Sequence, residues 1–299
     1  MELSITLSAY AKINLYLDIL SRRENGYHNI QSIMQTLDLC DTVTMTRLAD
    51  GEGIRVESSL ADLPTDRRNL AYRAAERFST LLGRIPDVAI RIEKRIPMAA
   101  GLGGGSADAA AVLRGLNRLY GTDAPVSRLC EIGAGLGADI PFCIVGGAMI
   151  AEGIGEILTP CKGLSERFWI AVACGGEGVS TPEAYGRLDA MYGDFATPRT
   201  VDQGFTSLRA ALERDDVSAI GAHMYNIFEQ AVLPTHAVAP RLLETMRQGG
   251  SVAAMMSGSG PSVFGLFDSE DAARAVTERI ASEMGIPAFV AKPLGSLND

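Results

Sequence analysis

Only four of the 299 residues are lysines (Lys12, Lys94, Lys162 and Lys292), and Lys and Arg together number 27 against 36 Asp and Glu, a net charge of -9. An acidic chain lacks the positive surface that general binding to nucleic acid or anionic membrane requires, so an anionic ligand has to be captured locally. Five cysteines (Cys40, Cys130, Cys143, Cys161, Cys174) are odd in number, irregularly spaced and without a Cys-x-x-Cys pair, which speaks against a disulfide framework and against a zinc site. His223 and His236 have no partner at metal-ligand spacing and receive no role. No apolar run approaches membrane-spanning length, and MELSITLSAY has no positive stretch before an apolar core, so the expectation is a soluble, cytoplasmic protein with reduced thiols. There is no internal repeat or low-complexity tract. With 47% hydrophobic and 21% charged residues, the chain has material for a core and for two domains.

Glycine is plentiful, and it concentrates in Pro97 to Ala110, PMAAGLGGGSADAA. Val88 to Ile96 alternates apolar and charged residues as a strand does, and Pro97, with no N–H to donate, ends the ladder. Gly101, Gly103, Gly104 and Gly105 carry no Cβ, so they are free to take positive φ and to bring backbone N–H groups together on an anion. Ser106 is the expected N-cap of a helix whose buried face is Ala109, Val112, Leu113, Leu116, Leu119 and Tyr120. Loop amides and helix dipole then point at one place, a phosphate site. Two commoner templates fail. The dinucleotide fingerprint begins with Gly101-x-Gly103, but its third glycine position is Ser106 and no acidic strand end follows about 20 residues on. The P-loop pattern needs Lys after its last glycine, and Gly105 is followed by Ser106. The plain alternative, glycines used only to pack a tight connection, is a costly use of four of them in five positions.

Ile5 to Asp18 and Ile33 to Thr46 read as strands flanking the turn-rich Ser21 to Asn29. Asn69 caps a helix with Leu70, Ala74, Phe78 and Leu81 on its apolar face and Gly83 as its stop. A third helix starts near Ser127 and runs out in GAGLGADIP, followed by strand-like pieces in CIVGGAMIAEGIGEIL. Pro160 to Ser165 looks like a connector, which divides the chain into domains 1–162 and 163–299. Beyond it come a strand at Phe168 to Ala173, a helix opened by Thr181 as N-cap and Pro182 as N1, and amphipathic helices to Gln248. Short strands at Val252 to Met256 and Ser262 to Phe267 surround SGSGP, and a helix at Glu270 to Met284 precedes a last strand at Ala288 to Ala291. The pattern is α+β.

Lys12 lies inside the apolar strand SAYAKINLYLDI, where alternation puts it with Tyr10, Asn14 and Tyr16 on a face opposite Ala11, Ile13, Leu15 and Leu17. That face is either solvated, the ordinary fate of a lone lysine, or part of a site. Asp139, in GADIP, sits in a loop between a helix and an apolar strand, as a turn or cap residue or as a carboxylate facing a cleft. A carboxylate and a lysine beside a phosphate site are minimal equipment for phosphorylating a hydroxyl, because the loose transition state of phosphoryl transfer asks for positioning and charge stabilisation more than covalent help. Asp139 would orient the nucleophile first and accept its proton second. The second glycine turn, MSGSGPSVF from Met256 to Phe264, is either a plain hairpin or another wall of the site. Tyr27 and His28, in ENGYHNI, form either a structural corner or a place where a planar base is stacked and hydrogen-bonded.

In order and spacing, AKINLYLDILSRRENGYHNIQSIMQTLDL, IPMAAGLGGGSADAAAVL, GADIPFCIVGGAMIAEGIGEIL and MSGSGPSVFGLF closely resemble the galactokinase, homoserine kinase, mevalonate kinase and phosphomevalonate kinase superfamily. The first three cover most of residues 9 to 158, and the fourth anchors the C-terminal half. AKINL with NGYH, together with GADIPF, resembles the member that acts on a cytidine diphosphate-linked methylerythritol. The resemblance implies a two-domain α+β fold: an N-terminal ribosomal-protein-S5-like ATP-binding domain, a C-terminal ferredoxin-like domain and the active site in the cleft between. It implies transfer of the ATP γ-phosphoryl group to the 2-hydroxyl of that substrate, in non-mevalonate isoprenoid precursor synthesis. Lys12 and Asp139 would be the catalytic pair. Pro97, Met98, Ala99, Ala100, Gly101, Leu102, Gly103, Gly104, Gly105 and Ser106 would hold the ATP phosphates, and Asn14, Tyr27, His28 and Thr181 the substrate. Mg2+ is expected as a cofactor, held mainly by ATP and water, since no paired acidic motif offers protein ligands. Where many relatives carry a second serine, this chain has Ala107, so no hydroxyl is required there. A monomer or a homodimer is expected. The alternatives are a kinase of the same superfamily acting on mevalonate or homoserine, a catalytically silent nucleotide-binding protein and, least well supported, a dehydrogenase.

Overall fold

Two long antiparallel strands, β1 (Ser4–Arg22) and β2 (His28–Arg47), form the spine of the computed structural model, which describes residues 3–195, 197, 199–200 and 202–297. Their side chains are buried on both faces along much of their length, which is why both read as apolar runs interrupted by a few polar residues. Around them a seven-stranded sheet assembles β3 (Ile54–Ser58), β4 (Val88–Glu93), β5 (Ala148–Glu152), β6 (Ile157–Pro160) and β8 (Tyr225–Asn226), in the order β3-β4-β2-β1-β8 with β5 on β2 and β6 on β5.

Helices α1 (Leu70–Leu82), α2 (Gly104–Tyr120), α3 (Val126–Ala134) and α4 (Ile140–Val145) share one core with this sheet, where Phe78, Leu113 and Leu116 join Val43, Met45, Ile90 and Ile92. Asn69 caps α1 as expected, its Oδ1 accepting from the Ala71 N–H at 2.8 Å, and Gly83 ends it in the left-handed region. A four-stranded sheet, β11 (Ala288–Ala291), β7 (Trp169–Ala173), β10 (Val263–Phe267) and β9 (Ala253–Met256), makes the second layer system. With it go α5 (Thr181–Tyr192), α6 (Gln203–Arg214), α7 (Val217–His223), α8 (Glu229–Val232), α9 (Ala239–Gln248) and α10 (Glu270–Met284). Ile13, Leu15, Ile33 and Leu37 of the first sheet pack in one cluster with Ile170, Phe205, Leu208 and Phe264 of the second half, so the two halves are joined by a shared apolar seam. No described helix is long and apolar enough to cross a membrane.

Several local expectations are corrected. The β1–β2 ladder shifts register between Tyr10 and Lys12, between Asn14 and Tyr16, and between Ile19 and Ser21. Such bulges re-aim side chains, and no solvated polar face results: Lys12 is 4%, Asn14 3% and Tyr16 0% exposed, with Tyr16 packed edge-on to Phe205. β4 stops at Glu93, before Pro97, because the next N–H groups leave the ladder for a carboxylate: Asp41 Oδ1 accepts from Arg95 N at 2.5 Å and Ile96 N at 2.8 Å. Ser106 does not cap α2. Gly103 is the N-cap, in the left-handed region at φ 74°, and Gly104 and Gly105 are already helical, so of the four loop glycines only Gly101 and Gly103 use positive φ. The apolar run after Asp139 forms the short helix α4, not a strand, with Pro141 in its first turn where a missing N–H costs nothing. Thr181 is the first residue of α5, with Ser180 at the N-cap and Pro182 next in line.

Candidate active site

Lys12 leaves β1 immediately after a bulge, and its backbone N–H donates to Leu102 O at 3.0 Å, stitching the strand to the glycine loop. Its aliphatic stem lies across Gly103, where an added Cβ would sit 3.0 Å from Lys12 Cγ. Nζ donates to Asn14 Oδ1 at 2.8 Å, Asn14 Nδ2 donates to Ser32 Oγ at 2.8 Å, and Ser32 donates to Tyr16 O at 2.6 Å. This buried chain fixes the ammonium beside the glycine loop. Asp139 Oδ2 is 3.6 Å from Nζ, and its side chain is 37% exposed against 5% for Lys12. Asp139 stands at the N-cap of α4 but its side chain makes no cap hydrogen bond, so the carboxylate remains available to a ligand.

In the loop, carbonyls turn inward. Ala100 O accepts from Ser262 N, Gly101 O from Ser257 Oγ, Leu102 O from Lys12 N and Gly103 O from Ala107 N. A planar trans peptide sets each following N–H opposite its carbonyl, so the amides of Gly101, Leu102, Gly103 and Gly104 point away from those partners. Together with the open N-terminal turn of α2, they supply the convergent donors an anion needs.

The turn between β9 and β10 is no plain hairpin, because it docks on this loop. An added Cβ on Gly101 would lie 2.1 Å from Ser257 O, and one on Gly258 would lie 2.9 Å from Gly101 O and 3.3 Å from Lys12 Nζ. Thr181 Oγ1 meets Ser259 Oγ at 2.8 Å, which brings the start of α5 to the same place. Gly101→Ala therefore has to move backbone as well as hold an alanine at φ 76°; the expected cost is ~1–3 kcal/mol of stability, read from denaturant unfolding, and an unshifted midpoint would contradict it.

Beneath the loop lies a buried ion cluster to which the sequence reading gives no role. Lys94 Nζ contacts Asp41 Oδ2 and, at 2.8 Å, Asp108 Oδ2, with all three side chains at most 2% exposed. It ties the end of β4 to the second turn of α2, on either side of the loop. The signal was present: one of four lysines, and an aspartate interrupting the alanine-rich buried face of α2. Burial, opposed by Lys94 and assisted by the charge of Asp41, pushes the Asp108 carboxyl up to about 7. The native chain therefore keeps a proton that the unfolded chain releases near pH ~4. Stability from this group is complete below that pH and is lost as pH rises through about 7. Asp108→Asn, neutral throughout, should flatten the decline of unfolding free energy across this window, and a slope equal to that of the parent would refute the assignment.

At the other end, His28 is the first residue of β2 and not a loop residue. Its Nε2 is 2.6 Å from Asp189 Oδ1, and its ring stacks on Tyr185 with centroids 4.6 Å apart. Arg22 completes the corner, 3.5 Å from Asp189 and 2.7 Å from Asp194. Tyr27 beside it is 59% exposed. Burial, then the charges of Asp139 and Asp189, push the Tyr185 phenol up, which places its hydroxyl in the field of both carboxylates. Helix α5 thus links the His28 corner, through Tyr185 and Asp189, to the SGSGP turn, through Thr181. Tyr185 and Asp189 escaped sequence reading because an aromatic and an acid on an amphipathic helix look like ordinary core and surface.

Among the described residues, no group of three His, Cys, Asp or Glu side chains converges as a metal cage. A half-exposed Asp139 beside an anion loop suits a divalent cation that keeps its waters and is bound largely through phosphate.

Two family models match the chain: GHMP kinases N terminal domain over residues 69–147, and GHMP kinases C terminal over residues 208–286. A 4-diphosphocytidyl-2-C-methyl-D-erythritol kinase of Alkaliphilus metalliredigens is 41% identical over 277 residues, 93% of this chain and 92% of that protein. The enzyme of the same name from Clostridium perfringens is 41% identical over 262 residues, 88% of each chain. A crystal structure of 4-(cytidine 5'-diphospho)-2C-methyl-D-erythritol kinase superposes with a TM-score of 0.80 at 31% identity, covering 97% of this chain and all of that one. A homoserine kinase from Cytophaga hutchinsonii shares the fold, with a TM-score of 0.76 at 21% identity.

Proposed function

The chain belongs to the 4-diphosphocytidyl-2-C-methyl-D-erythritol kinases, within the GHMP kinases, and from that premise we propose how its own residues carry the reaction. It is an ATP-dependent phosphotransferase with an alcohol acceptor, placed in non-mevalonate isoprenoid precursor synthesis. The 2-hydroxyl oxygen of the cytidine diphosphate-linked methylerythritol attacks the γ-phosphorus of ATP, the bond to the β–γ bridging oxygen breaks, ADP leaves, and the hydroxyl proton passes to Asp139. The observation that carries this assignment is the Lys12–Asp139 pair at the meeting point of the two glycine turns.

Each part has a physical task. Amides of the loop at 97–106 and the N-terminus of α2 hold ATP phosphates. Lys12, fixed by Asn14, stabilises charge on the transferring group, and Asp139 orients the hydroxyl before accepting its proton. ATP oxygens and water, with Asp139 close to the phosphate loop, would hold Mg2+, which would supply neutralisation of phosphate charge. Tyr27, exposed, and His28, at the start of β2, form the corner for the cytosine, and Thr181 lines the cleft at the SGSGP turn. We place the domain boundary at 162/163.

ADP release with the cytidine diphosphate-linked substrate, free methylerythritol, mevalonate and homoserine, each with ATP and Mg2+, tests this reading. Turnover should be confined to the cytidylylated alcohol and should weaken through KM in His28→Ala. Preferred turnover of mevalonate or homoserine would move the chain elsewhere in the superfamily, and none with any alcohol would make it a silent nucleotide binder.

A further inference from the structure

The SGSGP turn reaches Lys12 and the phosphate loop, but what holds the turn is a segment no motif singles out. β8 is only two residues long and pairs in parallel with Tyr16 and Leu17 of β1, a short way along the strand from Lys12. Its second residue, Asn226, is 2% exposed. Asn226 Nδ2 donates to Met256 O at 2.7 Å and to Gly258 O at 2.9 Å, and its Oδ1 accepts from Phe228 N at 3.0 Å. Three residues on, Glu229 Oε1 accepts from Met256 N at 2.8 Å. The two carbonyls that Asn226 holds flank Ser257, whose hydroxyl donates to Gly101 O and whose own N–H donates to Ser262 O at 2.9 Å. The turn is therefore gripped from behind by one carboxamide and one carboxylate while its front meets the loop and the ammonium.

We propose that Asn226, assisted by Glu229, is a positioning residue for phosphoryl transfer: it fixes Ser257 and Gly258 at the spacing from Gly101 and Lys12 that the reacting groups require. The proposal rests on the kinase reading above. The chemistry is specific to a carboxamide. Two buried carbonyls need two N–H donors, which an aspartate does not have; a carboxylate there would face both oxygens at close range. Because β8 belongs to the sheet of β1 and the turn to the second sheet, the same side chain sets the register of the two sheets at the site. Misplacing reacting groups by about 1 Å costs on the order of 10²-fold in rate even when no contact to substrate is lost.

The test compares Asn226→Ala, Asn226→Asp, Glu229→Ala and Glu229→Gln with the parent in the ADP-release assay, with ATP affinity measured separately by calorimetry. Both Asn226 variants should lose ~10²-fold in kcat while KM for the alcohol stays within about threefold, a split that loss of stability alone does not produce. Glu229→Gln, which keeps an acceptor for Met256 N–H, should recover most of the kcat that Glu229→Ala loses. Parental kcat in folded Asn226→Ala, or a change confined to KM, would overturn the positioning role. Should the Asn226 variants fail to fold, the Glu229 pair decides: equal kcat in Ala and Gln overturns it. A parent that releases no ADP would refute the kinase reading and this role with it, whereas an active parent matched by its variants would refute the role alone.

Discussion

Asp139→Asn lowers kcat by ~10²- to 10⁴-fold, the scale set by a positioned proton acceptor, and leaves the dissociation constant of ATP within a few-fold of the parent. The asparagine keeps the shape and one acceptor oxygen of Asp139, so the proposed hydroxyl orientation should be partly retained while the negative charge proposed to take the proton is removed. Asp139 makes no cap hydrogen bond to α4, so a lost cap does not confound the result. Steady-state turnover and calorimetry on the same preparation check both halves. Unchanged turnover would take Asp139 out of the mechanism, and lost ATP binding would make it a nucleotide ligand.

Lys12→Ala lowers kcat by ~10²- to 10³-fold, the usual consequence of deleting one group that stabilises charge in the transition state. Here the interpretation needs a second variant. The lysine stem packs on Gly103, and its ammonium is the donor to Asn14 Oδ1, so alanine leaves both a void and an unpaired buried acceptor. Lys12→Met restores the stem without the charge. Equal kcat losses in the two, with the larger fall in stability for alanine, assign the effect to the ammonium. A rise in KM with kcat unchanged would instead make Lys12 a ground-state binding residue. In the proposed mechanism Lys12 and Asp139 act on one transferring group, so the double variant should lose far less than the product of the single losses.

Much of this site was legible in the sequence, for reasons that differ by residue. The glycine loop announces itself because backbone donors cannot converge on an anion past side chains, and Gly101 proves intolerant of a Cβ for a further reason, contact with Ser257. Caps and stops with a local cause, such as Asn69 and Gly83, fall where the sequence puts them. Strand β4 did not run to Pro97, because Asp41, more than fifty residues earlier in the chain, captures the amides that would have continued it. Strand alternation alone leaves the Lys12 face either solvated or part of a site; bulges invisible in a period-two pattern turn that face into the interior. Lys94 with Asp41 and Asp108, and Asn226 with Glu229, act between segments far apart in sequence, and no spacing rule encodes such pairings. The resemblance offers Lys12, Asn14, Asp139 and His28 as candidates, while Ser32, which holds Asn14, and Tyr185 and Asp189, which hold His28, become visible only in three dimensions.

The chain moves the ATP γ-phosphoryl group to one hydroxyl of a cytidylylated methylerythritol. Incubation with ATP labelled in its γ-phosphoryl oxygens, Mg2+ and that substrate, followed by mass spectrometry of the fragmented product, tests it directly. The labelled phosphoryl group should appear on the 2-oxygen of the methylerythritol moiety in the parent and be nearly absent in Asp139→Asn. Label found only in inorganic phosphate, or on another oxygen of the substrate, would contradict it.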